Sequence, residues 1–271
     1  MESDQSTFTP IAEVGEFGVI DRLRAVLGEP TSESVLMSIG DDAAVYRVGD
    51  GVAHVVTTDM LVEGVHFDRT YVPMRYLGWK SIAVNVSDIV AMNATPLYAT
   101  VALGLPNNVS VEQLEALYAG MANACEAFGV AILGGDIAAA ARLTISVTAV
   151  GEADEHDIIY RKGAQVDDLL CVTGDLGSAA AGFDILAAGK KGFEAGGNGA
   201  SGSDGAQPDL QEFAYVVERQ LYPQVRLDRI EHWADAGVKP TSLVDLSDGI
   251  GSDLHHICSS SGVGAVVESG L

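Results

Sequence analysis

Five short aspartate-bearing segments break up the apolar runs of this chain: Gly40-Asp41-Asp42-Ala43-Ala44, Thr57-Thr58-Asp59, Asn85-Val86-Ser87-Asp88, Gly134-Gly135-Asp136 and Asp245-Leu246-Ser247-Asp248-Gly249. In three of them, at 59, 136 and 245, the aspartate sits at or just beyond the end of an apolar strand-like run. Strand ends in open α/β folds converge on one edge, where ligands bind. Asn85 and Asp88 fall three apart in a helical pattern and so share a face. Gathered carboxylates repel one another and need counter-cations. Magnesium suits them, because it takes hard oxygen ligands from one or two carboxylates plus phosphate and water. No Cys or His pair has zinc spacing, and the adjacent His255 and His256 point apart on a helix. Taken singly, each aspartate reads as a helix cap or turn starter, as at Asp248-Gly249. Taken together, they ask for a common cause.

The remaining pattern sets the frame around these segments. Helical spacing predicts helices over Phe17–Leu27 and Trp79–Met92, the latter with Ile82, Val86 and Ile89 on one stripe. Ser110 with Gln113 forms a capping-box pair for a helix running to Phe128 and ending at Gly129. Further helices are expected near Leu210–Gln220, Leu227–Asp235 and Leu254–Ser260. Strands are expected at Val35–Met37, Val52–Thr58, Leu97–Leu105, Val130–Leu133, Leu143–Val150, Leu169–Thr173, Leu243–Leu246 and Ala265–Glu268. The mixture predicts an α/β (α+β) chain of two domains, residues 1–152 and 153–271, the second incomplete. Residues 192–208, rich in Gly, Ser and Ala, read as a flexible insertion.

Lys and Arg total 15 against 38 Asp and Glu, a net charge of -23. That field repels nucleic acids and anionic membranes, so neither is an expected partner. Lysine occurs at only five positions, a surface suited to concentrated salt or simply an acidic cytosolic protein. Three scattered cysteines and no basic-then-apolar leader predict reduced thiols and a cytoplasmic setting. The chain carries no GxxxxGK[ST], no strand-borne GxGxxG, no kinase HRD or DFG set and no GxSxG. An anionic nucleotide would therefore need metal ions, loop amides and a few cations, of which Arg161 and Lys162 are the obvious candidates.

The ordered motifs are more specific than that general pattern. Gly15-Glu16-Phe17, Gly40 to Ala44, Thr57-Thr58-Asp59-Met60-Leu61-Val62-Glu63-Gly64-Val65-His66-Phe67, Trp79-Lys80 through Asp88, Gly134-Gly135-Asp136 and Asp245 to Gly249 resemble the thiamine-monophosphate kinase family. That family belongs to the superfamily of aminoimidazole-ribonucleotide synthetase. The resemblance implies that superfamily's two-domain fold, a homodimer, and transfer of the ATP γ-phosphoryl group to thiamine monophosphate. It implies several Mg2+ ions at Asp42, Thr57, Thr58, Asp59, Asp88, Asp136, Asp245 and Asp248. It puts the nucleotide against Tyr118, Gly135, Asp136, Arg161 and Ser247, and the thiamine phosphate against His66. No residue is expected as a general base, since the acceptor phosphate is already ionised near neutral pH. The family's downstream Gly-Gly-Glu-Asp-Tyr segment is not found within the 271 residues, which reads as a C-terminally truncated chain with poor turnover. Two other readings stay open from the residues: another ATP-using synthetase of the superfamily, or a non-enzymatic acidic cation-binding protein.

Overall fold

The computed structural model describes residues 9–196 and 211–268. Its strands are β1 (Val35–Met37), β2 (Ala44–Gly49), β3 (Val52–Val62), β4 (Thr95–Leu105), β5 (Ala131–Ala139) and β6 (Thr144–Asp154). Its helices are α1 (Ile11–Leu27), α2 (Met74–Ala91), α3 (Val111–Phe128), α4 (Ser178–Gly196), α5 (Ala214–Leu221), α6 (Asp228–Ala236) and α7 (Ile250–Ser261). The strands form one six-stranded sheet in the order β1-β2-β3-β6-β4-β5. Its neighbours are antiparallel except β4 and β5, which run parallel and are joined through α3, the crossover a parallel pair requires.

Alternation along the central strands decides which face is covered. Val55 of β3, Ala99, Val101 and Leu103 of β4, and Ile145, Val147 and Ala149 of β6 are buried toward α2. The opposite face carries Thr58, Thr148, Thr100, Met60, Ser146 and Ala102 in paired rows and has no helix over it among the described residues. The predicted stripe Ile82, Val86 and Ile89 does face inward, but α2 also buries Leu77, Trp79, Ser81 and Asn85. A helix buried over most of its surface has little amphipathic contrast, so its sequence pattern understates its burial. Leu117, Met121 and Ala124 of α3 complete the main core. The second half docks there through Leu221, Tyr222, Val225 and Leu227. The Trp79 indole N–H donates to the Pro223 carbonyl at 2.8 Å, and its ring stacks on Tyr222 with centroids 3.9 Å apart.

Local signals held where the backbone itself carries them. Ser110 and Gln113 form the reciprocal capping box at 3.3 and 3.0 Å, and Gly129 closes α3 in the left-handed conformation. Helix α1 is interrupted at Gly15 (φ 73°), just before the predicted start at Phe17. Four strands run past their predicted ends, β6 among them, which continues from Val150 to Asp154. Strand β3 continues through Asp59, β4 starts at Thr95 with Pro96 inside it, and β5 carries Gly134-Gly135-Asp136 within the strand. Pairing with the eleven-residue β6 sustains β3 and β4, while β4 in turn sustains β5. Gly135 is required for that approach, because a Cβ there would overlap the Val101 carbonyl oxygen.

The second half departs from expectation more strongly. The strands predicted at Leu169–Thr173, Leu243–Leu246 and Ala265–Glu268 do not form. None of them joins a strand ladder among the described residues: Leu243 makes a single backbone bond, to the Tyr160 carbonyl at 3.2 Å, and Leu169 stays 90% exposed. The helix predicted from Leu210 begins at Ala214, after a turn at 211–213. Of the predicted insertion, residues 192–196 continue α4, and the rest lies outside the described residues. No helix among the described residues is long and apolar enough to cross a membrane.

Helices α2 and α3 cross where Gly78 meets the Leu117 carbonyl and Gly120 meets the Arg75 carbonyl; a Cβ on either glycine would overlap that oxygen. Gly120→Val should therefore force the helices apart and destabilise the fold by about 3 kcal/mol or more, the scale of severe overpacking. A urea melt checks this, and an unchanged midpoint would show that the crossing is not close.

Candidate active site

Asp42 lies in the turn between β1 and β2, Asp88 in the last turn of α2, and Asp245 in the extended segment before α7. Far apart in sequence, they meet with one oxygen from each within 4.8 Å of the others. Each is held by a neighbour. The Thr57 hydroxyl, on the covered face of β3, donates to Asp88 Oδ2 at 2.6 Å, and the Ser87 hydroxyl donates to Asp245 Oδ2 at 2.9 Å. Arg161 donates to Asp42 Oδ1 from both Nε, at 3.1 Å, and Nη2. Its backbone N–H also reaches both oxygens of Asp41, at 3.3 and 3.1 Å. Two residues beyond Thr57, Asp59 projects from the same face, and its N–H donates to Asn85 Oδ1 at 3.1 Å.

Burial dominates the electrostatics of this group. It pushes Asp42 up to about 6, against the opposing Arg161 hydrogen bond and charge. Asp245 rises to about 7, through burial and then the charge of Asp42. Asp88 rises to about 8, through burial and then Asp245, with the Thr57 hydrogen bond opposing. Burial raises Asp59 as well, and the nearby His66 opposes it. Among the described residues Asp42 Oδ2 is buried without a hydrogen-bond partner. A buried carboxylate oxygen left bare costs free energy unless a cation meets it. Three carboxylates and no sulfur or imidazole make a donor set that fits a hard divalent cation.

The other residues named from the sequence stand outside this trio. The Thr58 hydroxyl donates to Val147 O and meets Thr148 Oγ1 on the opposite face of the sheet. Asp136, in register with Ala102 on β5, is exposed on that same opposite face, and Gly135 precedes it. Tyr118 is 39% exposed on α3. Ser247 and Asp248 are exposed beside Asp245. His66 is exposed in the turn after β3, with Nδ1 accepting from Val62 N at 3.0 Å.

Several supporting residues were missed in the sequence. Asp253, only 3% exposed, accepts the N–H groups of Ser247, Asp248 and Gly249 through Oδ2 at 3.0, 3.3 and 3.1 Å. That carboxylate, not Asp248, satisfies the orphan donors ahead of α7. An acid in the first turn of a helix was the available signal. Asn85 and Ser87 were visible beside Asp88, but only the folded chain brings one to Asp59 and the other to Asp245.

Comparison with known proteins adds an independent line. Residues 40–153 match the family described as AIR synthase related protein, N-terminal domain. The chain is 35% identical over 256 residues to the thiamine-monophosphate kinase of Aquifex aeolicus, covering 93% of this chain and 73% of that one. To the enzyme of the same name from Mycobacterium tuberculosis H37Rv it is 36% identical over 253 residues, covering 93% and 68%. It superposes with a TM-score of 0.77 and 33% identity on a solved structure described as AaThiL complexed with AMPPCP and TMP, covering 95% of this chain and 74% of that one.

The raised carboxylates predict a pH-dependent stability with a definite sign. Below their ordinary value of 3.8 both folded and unfolded chains are protonated, and no penalty exists. As pH rises, the unfolded chain releases protons that the folded site retains, so stability falls until the last of the group ionises near 8. With chelator present, the melting temperature should drop between about pH 4 and 8, and millimolar Mg2+ should reverse the drop. A melting temperature independent of both pH and Mg2+ would contradict the clustering.

Proposed function

The chain belongs to the thiamine-monophosphate kinase family, and from that premise we propose that it moves the γ-phosphoryl group of ATP directly onto the phosphate of thiamine monophosphate. The products are ADP and thiamine diphosphate. One observation carries the assignment to this site: Asp42, Asp88 and Asp245 come from three distant segments and converge within 4.8 Å at partly buried positions. Both reactants are anions in a protein of net charge -23, so like charges must be separated or neutralised.

We assign these three aspartates, with Asp59 beside them and Thr57 behind Asp88, to hold magnesium ions. Bound there, magnesium supplies neutralisation of the phosphates and stabilises charge on the transferred group's equatorial oxygens. The protein's own part is positioning. Thr57 and Ser87 fix the Asp88 and Asp245 carboxylates, and Asn85 fixes the backbone that presents Asp59. Asp253 gathers the 247–249 backbone, holding the loop of Ser247 next to Asp245 for the nucleotide. Because His66 Nδ1 accepts a backbone N–H, the neutral ring carries its proton on Nε2, a donor for the thiamine phosphate. No side chain need remove a proton, because the second ionisation of a phosphate monoester lies near pH 6.

Tyr118, Gly135, Asp136 and Thr58 are proposed contacts that lie away from the trio within one chain. A homodimer through the uncovered sheet face, where Met60 is 56% and Tyr98 45% exposed, is the assembly that suits them. Sedimentation at micromolar concentration should then read twice the chain mass, and a monomer at that concentration would rule the dimer out. ATP as co-substrate and the free cysteines Cys125, Cys171 and Cys258 support a cytoplasmic setting.

A coupled assay for ADP tests the reaction. ADP formation should require both Mg2+ and thiamine monophosphate, and Asp88→Asn or Asp245→Asn should lower its rate by about 100-fold or more. ADP release indifferent to thiamine monophosphate would exclude this acceptor. Full activity in both variants would exclude the trio.

A further inference from the structure

The arginine at this site sits where a cation already belongs. Both Arg161 Nε and Nη2 point at a single oxygen, Asp42 Oδ1, while among the described residues Oδ2 of the same carboxylate is buried without a partner. The Asp42 side chain is 1% exposed, so apart from the Asp245 backbone, which also favours its ionised form, its charge is met by the guanidinium and by whatever lies among Asp42, Asp88 and Asp245. The backbone of Arg161 is pinned. Its N–H is held by Asp41, and its carbonyl accepts the hydroxyls of Ser242 at 2.6 Å and Ser261 at 3.3 Å. Among the described residues the guanidinium is held only by the neighbouring acids, and the side chain is 21% exposed.

A fixed anchor with a long, charged and partly exposed arm can swing without moving the fold. A divalent ion on the trio and the guanidinium draw on the same carboxylate, and at this range they repel each other. Their occupancies of Asp42 therefore oppose one another.

We propose that Arg161 is a displaceable counter-cation of Asp42, which competes with the divalent ion and, once displaced, is delivered to the nucleotide phosphates. This rests on the reading of the trio as the magnesium site and makes Arg161 a positioning residue that couples the two ligands. Because coupling is reciprocal, a metal ion that frees Arg161 tightens nucleotide binding by the same factor that nucleotide tightens metal binding. The coupling would also favour a filled site, since a nucleotide arriving without divalent ion finds Arg161 engaged with Asp42.

The competition has a signature that no structural role of Arg161 shares. Removing the guanidinium should tighten metal binding measured without nucleotide, and loosen nucleotide binding measured with metal. Mn2+ titration of the nucleotide-free protein, followed by electron paramagnetic resonance, reads the first. Calorimetric titration of ADP at saturating Mn2+ reads the second. Arg161→Gln should bind Mn2+ about 5- to 10-fold more tightly and ADP about 10-fold more weakly, the usual scale of coupling. Arg161→Lys, which keeps the charge and loses the fork, should shift Mn2+ affinity much less. A variant that merely misfolds would lose both affinities. Unchanged or weakened Mn2+ binding in Arg161→Gln, with the wild type binding normally, overturns the competition and leaves the metal site standing. Wild-type protein that binds no Mn2+ sensitive to Asp88→Asn overturns the metal site and the competition together.

Discussion

Like charges confined to a small buried volume are the constraint from which the rest of this structure follows. Two carboxylates 4 Å apart repel by about 4 kcal/mol even at an effective dielectric near 20, and three cost more. Asp42, Asp88 and Asp245 are held at that range. The chain does not relieve the strain by moving them apart. It surrounds them with hydroxyl donors from Thr57 and Ser87, one guanidinium and a buried aspartate that shapes the adjoining loop. Such an arrangement holds its protons to unusually high pH unless further positive charge is at hand, which makes it a place where cations gather without a glycine-rich phosphate loop.

Helix α2 makes the arrangement rigid. It packs on the sheet through Ile82, Val86 and Ile89, against α3 through the Gly78–Gly120 crossing, and against the second half through Trp79. Its C-terminal turns then carry Asn85 and Asp88, both engaged with β3, and Ser87, engaged with Asp245. Reacting groups must be held to a fraction of an ångström for positioning to accelerate a transfer. A helix buried over most of its surface is the element best able to do that.

Much of this was legible in the residues. Local signals read well where the deciding interactions are themselves local, as in the Ser110–Gln113 capping box and the Gly129 stop. The strands β3, β4 and β5 were recognised but cut short, because Asp59, Pro96 and the Gly134-Gly135 pair look like strand breakers until a long neighbour supplies the ladder. The strands expected at 169–173, 243–246 and 265–268 failed for the converse reason, since apolar alternation cannot form a strand without a partner alongside. Aspartates were equally visible at 42, 59, 88, 136, 245 and 248. Which of them share a pocket depends on faces of the sheet that spacing alone does not assign.

What the amino-acid order determined by itself was the chemistry on offer: hard oxygen donors, scarce cations, no soft metal ligands, and motif strings of one kinase family. What only the tertiary structure decided was the company each donor keeps. Strand parity sends Thr57 and Asp59 to the covered face and Thr58 to the other, and edge placement leaves Asp136 exposed with it. Chain crossings more than a hundred residues apart in sequence bring Arg161 to Asp42 and Asp245 to Ser87. The physical reason is that composition and periodicity are local, whereas electrostatic energy depends on distance through space, and those distances exist only once the core has closed.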